Sequence, residues 1–500
     1  MTVKDSESVG TSSYRSIFKA TSLFGGVQVY QILVSIIKSK IIAVLLGPTG
    51  VGIQGLYQSG TQFVQSLTSM GLSSSAVRDV AEANATKDGY RIGRTVSALR
   101  KLVWLTGLLG LISVAIFSPV LSNYAFGNKD YTIPFILLSV TLLIDQLSAG
   151  QKVVLQGMRR LKDLAKASAI GSTVGLVVSI PFYYLMGVRG IVPTLILNSV
   201  TMLLLTWFYS RRIKIENVEV THNEAILIGG GMLKMGLAMS LTNILALGCS
   251  FILRGYIRKI GGTDDVGYYA AGFAILSSYV GMVFTAMSTD YYPRLAAINT
   301  DNKACCDVVN KQGEIASLIM SPLILFCLVF TPFLIALLYS DSFSIANDYV
   351  MIAAVGMFFR MGSWLIAYQF IAKGESKLYV VNEVVANIYM LLFNVFGYKL
   401  YGIAGLGISF TLGYICYFTQ VYIISKIRYA FSFSSVFFRL FVFQFAVILI
   451  CFGTTYLQPT WLRYMLGCVI IGISVVYSII ELDKRISLIS YIKSKRSKND

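Results

Sequence analysis

The sequence predicts an all-α polytopic membrane protein with about fourteen transmembrane helices, in two six-helix lobes related as a parallel repeat, plus two C-terminal helices. Three observations predict it. Of 500 residues, 55% are hydrophobic and 13% charged, with a mean hydropathy of +0.69; a soluble chain of this size could not cover that much apolar surface. Apolar stretches long enough to cross a bilayer recur fourteen times along the chain,. A distinctive hairpin also returns after 215 residues, Val51-Gly52 reappearing as Val266-Gly267,.

A Ser-, Thr- and Gly-rich segment at 1–13 reads as a mobile tail,. No short apolar region with a small-residue cleavage site precedes the first span, which is therefore expected to be retained. That span, 16–46, is about 46 Å long at roughly 1.5 Å per residue, more than the ~30 Å hydrocarbon core demands, so it must tilt or project into water. Thr21, Gln28, Gln31, Ser35 and Lys38 fall along one face of it,. After the turn Gly47-Pro48-Thr49-Gly50-Val51-Gly52, the span 53–72 repeats the device with Gln54, Gln58, Gln62, Gln65 and Ser69. Amides in hydrocarbon are costly unless paired, so the two stripes should face protein or a water-filled cavity. Helix-to-helix hydrogen bonding is the plain alternative for either stripe alone. Two adjacent stripes, one ending in a lysine, favour the hydrated cavity.

Spans at 102–122, 131–151, 167–187 and 191–210 complete the first lobe, 14–213. The fifth carries Ser168, Ser172, Gly175, Ser179 and Tyr183 on one face, a pattern that more often marks close helix packing than a ligand site,. A linker at 214–224 leads to the second lobe, 225–426, with spans at 227–257, 266–290, 314–338, 344–372, 378–398 and 402–425. Two further spans, 437–457 and 461–480, lie in the segment 427–480, followed by a basic tail at 481–500. The repeat rests on four aligned features: the turn, a preceding cation (Lys38, Arg254), a basic inner boundary (Arg78, Arg294), and Ala81 with Ala296. Both hairpins enter the membrane in the same direction, so a cavity is expected between parallel halves.

The net charge of +18 suggests nucleic acid until its distribution is considered,. Of the 42 Lys and Arg, thirty fall on one side of the membrane and nine on the other if the N-terminus is cytoplasmic, with Lys19, Lys234 and Arg360 inside spans. The positive-inside rule then puts both termini in the cytoplasm and leaves no call for a nucleic-acid partner. Seven cysteines without metal-ligand spacing and the single His222 support neither a zinc site nor a histidine-based active site,.

The residues that stand out chemically are few. Arg360 sits near the middle of its span, where an ionised group is a functional-site hypothesis by default and pairing with Glu383 is the structural alternative,. Lys38 and Arg254 either point into the cavity or snorkel to the outer interface. Asn243 shares a face with Ser240, Ser250 and Arg254. Asp145, Asp290 and Glu383, acids in the inner halves of their spans, are candidates to bind H⁺ or Na⁺; pairing with loop cations is the plainer reading. The cavity would be cationic and amide-rich with long apolar walls. Guanidinium and ammonium groups suit phosphate oxygens, and Gln28, Gln31, Gln54, Gln58, Gln62 and Asn243 suit sugar hydroxyls.

Four stretches carry a resemblance: Lys40-Ile41-Ile42-Ala43-Val44-Leu45-Leu46 running into the first turn, Asp265-Val266-Gly267-Tyr268-Tyr269, Asp290-Tyr291-Tyr292-Pro293-Arg294-Leu295, and Ala367-Tyr368-Gln369-Phe370-Ile371-Ala372-Lys373-Gly374 with Lys377 and Glu383. Over about 15–425 the chain resembles the Wzx-type lipid-linked oligosaccharide flippases of the multidrug/oligosaccharidyl-lipid/polysaccharide exporter superfamily. The resemblance implies a bacterial inner-membrane transporter, not an enzyme. It would pass an undecaprenyl-diphosphate-linked repeat unit for O-antigen or common-antigen-like glycans to the outer leaflet by alternating access. It also implies ion-gradient coupling, no cofactor, and membrane lipids as surroundings, with a polysaccharide polymerase or chain-length machinery as a partner. The first span lacks the deep acid that many drug-exporting relatives carry, which argues against their proton mechanism. A lipid II flippase or a cation/drug antiporter of the same superfamily is the alternative.

Overall fold

The computed structural model describes the backbone of residues 3–486, and their side chains apart from 3–26, 28–29, 222, 238–239, 278–279, 286, 289–290 and 486. Among the described residues the regular structure is helical throughout. In chain order the helices are α1 (Val3–Thr68), α2 (Leu72–Ala85), α3 (Gly89–Phe126), α4 (Thr132–Gly157), α5 (Leu161–Met186), α6 (Ile191–Ser210), α7 (His222–Ala274), α8 (Met282–Ala297), α9 (Asn302–Leu338), α10 (Ala346–Ala372), α11 (Ser376–Tyr429), α12 (Ser435–Thr454) and α13 (Thr460–Ile486). Among the described residues ten stretches are long and apolar enough to cross a membrane. Closed helical hydrogen bonding is what lets a backbone sit in hydrocarbon at all.

Several of these stretches are two rods joined at a glycine. α1 breaks at Gly47 (φ 63°, ψ −169°) and α7 at Gly262 (φ 83°, ψ −174°), positions related by the same 215-residue shift as the sequence motif. Gly187 (φ 56°, ψ −133°) parts α5 from the helical turn leading into α6, and Gly402 (φ 56°, ψ −137°) breaks α11, again at that shift. The correspondence extends to side chains. Asn84 Nδ2 donates to the Gly157 carbonyl at the end of α4 (3.4 Å), and Asn299 Nδ2 donates to the Ala372 carbonyl at the end of α10 (3.3 Å). Each of those helices is closed by a matching turn: Arg160 N to Leu155 O at 2.8 Å, and Glu375 N to Phe370 O at 2.9 Å. One set of local constraints builds both halves.

The helices gather into two compact units, Met1–Lys259 and Ile260–Asp500. In the first, the segment 73–101 between the predicted spans 53–72 and 102–122 is largely helix. α2 buries Leu72, Ala76 and Val80 against Leu99, Val103, Val153 and Val154, each large side chain contributing roughly 1.5–3 kcal/mol,. The Asp88 carboxylate accepts from Tyr90 N at 3.0 Å, and this N-cap starts α3 thirteen residues before the apolar span,. The first arm of α7 packs into this unit. Gly71, at φ 62°, lies against Gly236, where a Cβ would fall 2.2 Å from the Gly236 oxygen. The rings of Phe63 and Phe251 stack at 6.1 Å, and Tyr124 donates to Ile252 O at 3.0 Å. Gly175, Ser179 and Tyr183 of α5 are buried, as the packing reading of that stripe expects.

In the second unit α10 is the most enclosed of the long helices. Asp301 repeats the capping role of Asp88, accepting from Lys303 N (2.9 Å) and Ala304 N (3.0 Å) to begin α9. α12 and α13 are tied to α9 through Gln444, which accepts from Ser321 at 2.7 Å and donates to Ser478 at 3.4 Å.

Gly262→Ala should lower the unfolding temperature in detergent, since nothing lies within 4 Å of the added methyl and backbone strain of about 1–3 kcal/mol is the sole change,. Gly231→Ala, inside a helix with equally open surroundings, should instead stabilise by about 0.5–1 kcal/mol,. A thermal-shift comparison of the two variants reads the sign directly.

Candidate functional site

The second arm of α1 shows how the amide face arises. Ile53, Leu56, Tyr57 and Gly60 recur at helical spacing and are buried, Tyr57 packing on Phe126 (5.2 Å) and Phe135 (5.3 Å). That anchor turns the other side outward: Gln54, Gln58 and Gln65 are half-buried and Gln62 is exposed. From Gln54 to Gln65 the row spans about 16 Å. The Gln54 Oε1 is enclosed yet meets no hydrogen-bond donor among the described residues. On the first arm Gln31 and Lys38 are half-buried and Ser35 is exposed, while Tyr30 contacts Thr173 of α5 at 2.5 Å. The side chains of Gln28 and Asp290 lie outside the described residues.

Arg254, on the first arm of α7, donates from Nη1 to the Gly55 carbonyl at 2.8 Å, which sets its guanidinium beside the residue preceding Leu56 on the amide-bearing arm. Asn243, about three turns earlier on α7, is exposed,. Asp145, in the middle of α4, lies near Ser199 of α6 and Lys152 of its own helix. Lys152 belongs to the same helix, about two turns further on, and is not a loop cation,.

In the second unit Arg360 lies midway along α10, half-buried in a helix whose neighbours are almost all enclosed. Its guanidinium stands over the rings of Tyr414 (5.5 Å) and Phe284 (5.7 Å), with Nη1 3.8 Å from Met357 Sδ. Each aromatic contact is worth about 0.5–2 kcal/mol, well short of an ion pair in a desolvated site. Among the described residues no carboxylate reaches ion-pair distance. Glu383 is held elsewhere, accepting from the Tyr417 hydroxyl. Asn382 donates to that same hydroxyl at 3.2 Å, and Gln420 donates to Asn382 Oδ1 at 2.5 Å. Asn387 and Asn394, read as sharing the Glu383 face, turn their amides back onto Glu383 O and Met390 O of their own helix, both at 2.8 Å.

Sequence reading missed Tyr414, Tyr417, Gln420 and Phe284. The first three recur every three residues on the second arm of α11, a polar and aromatic row that could have been noticed. Phe284 gave no signal. The stretches that carried the family resemblance prove to be clasps. Tyr398 donates to Asp265 Oδ2 at 2.5 Å, the buried Tyr291 donates to Leu365 O at 2.7 Å, and Arg294 donates to Gln312 Oε1 at 2.8 Å. Lys373 ties Asn299 O (2.5 Å) and Asn302 Oδ1 (2.7 Å) to the end of α10.

A profile described as polysaccharide biosynthesis protein matches residues 41–348, more than half of the chain. The chain belongs to the polysaccharide biosynthesis protein family. Its similar relatives include the lipid III flippases of Escherichia coli (strain K12) and Shigella flexneri, each 21% identical over 414 residues, covering 81% of this family member and 97% of the relative. An inward-facing multidrug resistance MATE family transporter of the MOP superfamily superposes with a TM-score of 0.70 at 17% identity, covering 80% of this chain and 94% of that one. The lipid II flippase MurJ, in an inward closed conformation, gives 0.67 at 11%, covering 93% and 99%. This member of the family therefore has the MOP-superfamily fold, and the resemblance to the Wzx-type flippases holds.

Tyr417→Phe removes a donor from Glu383 and an acceptor from Asn382, and should destabilise by about 1–3 kcal/mol. In a double-mutant cycle of detergent unfolding, Glu383→Gln with Tyr417→Phe should cost clearly less than the sum of the single changes.

Proposed function

We propose that the protein flips an undecaprenyl-diphosphate-linked oligosaccharide repeat unit from the cytoplasmic to the outer leaflet of the bacterial inner membrane, by alternating access and without covalent catalysis. The observation that carries this reading is Arg360: a half-buried mid-helix cation faced by aromatic rings and, among the described residues, by no carboxylate. Among the described residues such a group has no carboxylate counter-charge, so it suits an anion, and a guanidinium offers paired donors to phosphate oxygens,. Gln58 and Gln62 supply accessible amides for glycan hydroxyls, with Gln54, Gln28, Gln31 and Asn243 in the same role. Lys38 and Arg254 supply positive charge within the first unit. The lipid III flippase relatives support a lipid-linked glycan as the cargo.

Reading each glycine-broken stretch as two rods gives fourteen crossings, with both termini cytoplasmic and two related lobes at 14–213 and 225–426. Glu383 and Asp145 are the described acids placed to take a coupling H⁺ or Na⁺. A cation/drug antiporter shares the fold, but the positive charge of Arg360 would repel its cargo. A lipid II flippase would use the same phosphate chemistry and differ in the sugar.

In a strain lacking the native copy, Arg360→Ala should reduce surface glycan about tenfold to hundredfold at equal protein level, the scale of a lost charge-assisted hydrogen bond, while Arg360→Lys retains part of it. Undiminished display by Arg360→Ala would remove the arginine from the pathway. The lipid-linked sugar that accumulates inside cells lacking the protein identifies the cargo.

A further inference from the structure

Away from the amide face, the first unit holds a cleft of about 760 Å³ between α3, α4 and α6. Arg100 and Arg211 border it, both exposed, and no acidic residue is among its described lining. Its walls are apolar, with Val154 at the base and Leu204 at the side. Trp104 and Trp207, 50% and 46% exposed, are two of the four tryptophans in the chain and stand beside the arginines. The Arg211 guanidinium lies over the Trp207 ring at 5.1 Å. Amphipathic rings flanked by cations are the chemistry of a membrane interface, and two like charges converging on one cleft favour an anion between them.

We propose that this cleft binds an anionic glycerophospholipid, with its phosphate between Arg100 and Arg211 and an acyl chain along the apolar wall. The neighbouring exposed side chains Leu105, Leu204 and Phe208 suit contact with lipid tails. The lining offers little to a sugar. Its uncharged polar side chains, Ser210 and Gln151, are bonded to each other, the Ser210 hydroxyl donating to Gln151 Oε1 at 2.7 Å. The site is thus suited to a phosphate on a lipid rather than to a glycan, and it stands independently of the cargo proposed above.

Tryptophan quenching in vesicles tests it. The full chain is reconstituted with dibrominated phosphatidylglycerol or dibrominated phosphatidylcholine at equal mole fraction. Phosphatidylglycerol should quench at about thirtyfold lower mole fraction, the scale of two basic residues meeting an anionic lipid. Arg100→Gln/Arg211→Gln should erase the difference, while Lys162→Gln/Lys166→Gln, the same charge loss elsewhere on this unit, should keep it. Arg211→Gln alone, an exposed change, carries the test if the double variant does not fold. Equal quenching by both lipids in the unaltered protein, preference surviving the arginine changes, or equal loss in the lysine pair overturns the proposal. Displacement of phosphatidylglycerol by an equimolar polyprenyl phosphate would also overturn it, assigning the cleft to that lipid instead.

Discussion

A polar side chain within the span of a membrane helix must meet protein or water, because hydrocarbon offers it no partner. The rest of this structure follows from how that demand is met. Where serine, threonine and glutamine bond helix to helix, as in Gln146 Nε2 to Thr106 Oγ1 at 2.9 Å or Ser321 to Gln444, they hold the bundle together. Such contacts are individually weak, about 0.6 kcal/mol on average, and it takes many of them to fix a unit. Where the described residues offer no partner, as along Gln54, Gln58 and Gln62, we propose that the helix face is committed to water. The buried side of the same arm enforces that commitment, since Tyr57 and Leu56 are locked in an aromatic cluster and the arm cannot rotate its amides inward.

Arg360 poses the same problem in charged form. Its neighbours could have included a carboxylate, and Glu383 was the obvious candidate from the sequence. The structure spends Glu383 on Tyr417 and surrounds Arg360 with rings. An ion pair would have cancelled the charge; aromatic faces support it while leaving its field available to a ligand. Asp145, at the position matching Arg360 in the other half of the repeat, is treated differently, with a serine and a lysine nearby. The repeat conserved the backbone device and let the chemistry of the two midpoints diverge.

Much of the architecture was legible because hydropathy and turn chemistry are local. The glycines at 47 and 262 announce their breaks, and the 215-residue repeat seen at Val51 and Val266 reappears in the Asn84 and Asn299 clasps. What escaped was the helix between predicted spans. α2 and the start of α3 are held by Asp88 and an apolar stripe too short to register as a span. The Arg360 surroundings escaped for a different reason: Phe284 and Tyr414 come from α8 and the far arm of α11, and no spacing rule links residues so far apart in sequence. Asp265, Tyr291 and Lys373 are recognisable as family marks, but their work is to fasten helix ends, so resemblance located the fold more reliably than the site.

The central claim is that the glutamine face of α1 stands in water while the opposite face of the same arm is dry. Single cysteines at Gln54, Gln58 and Gln62, and at Ile53 and Leu56, in a background freed of the seven native cysteines, test it with a membrane-impermeant thiol reagent on protein in sealed and opened vesicles. The account predicts modification at the glutamine positions and protection at Ile53 and Leu56. Protection along the whole glutamine row in every preparation, or labelling without regard to face, would contradict it.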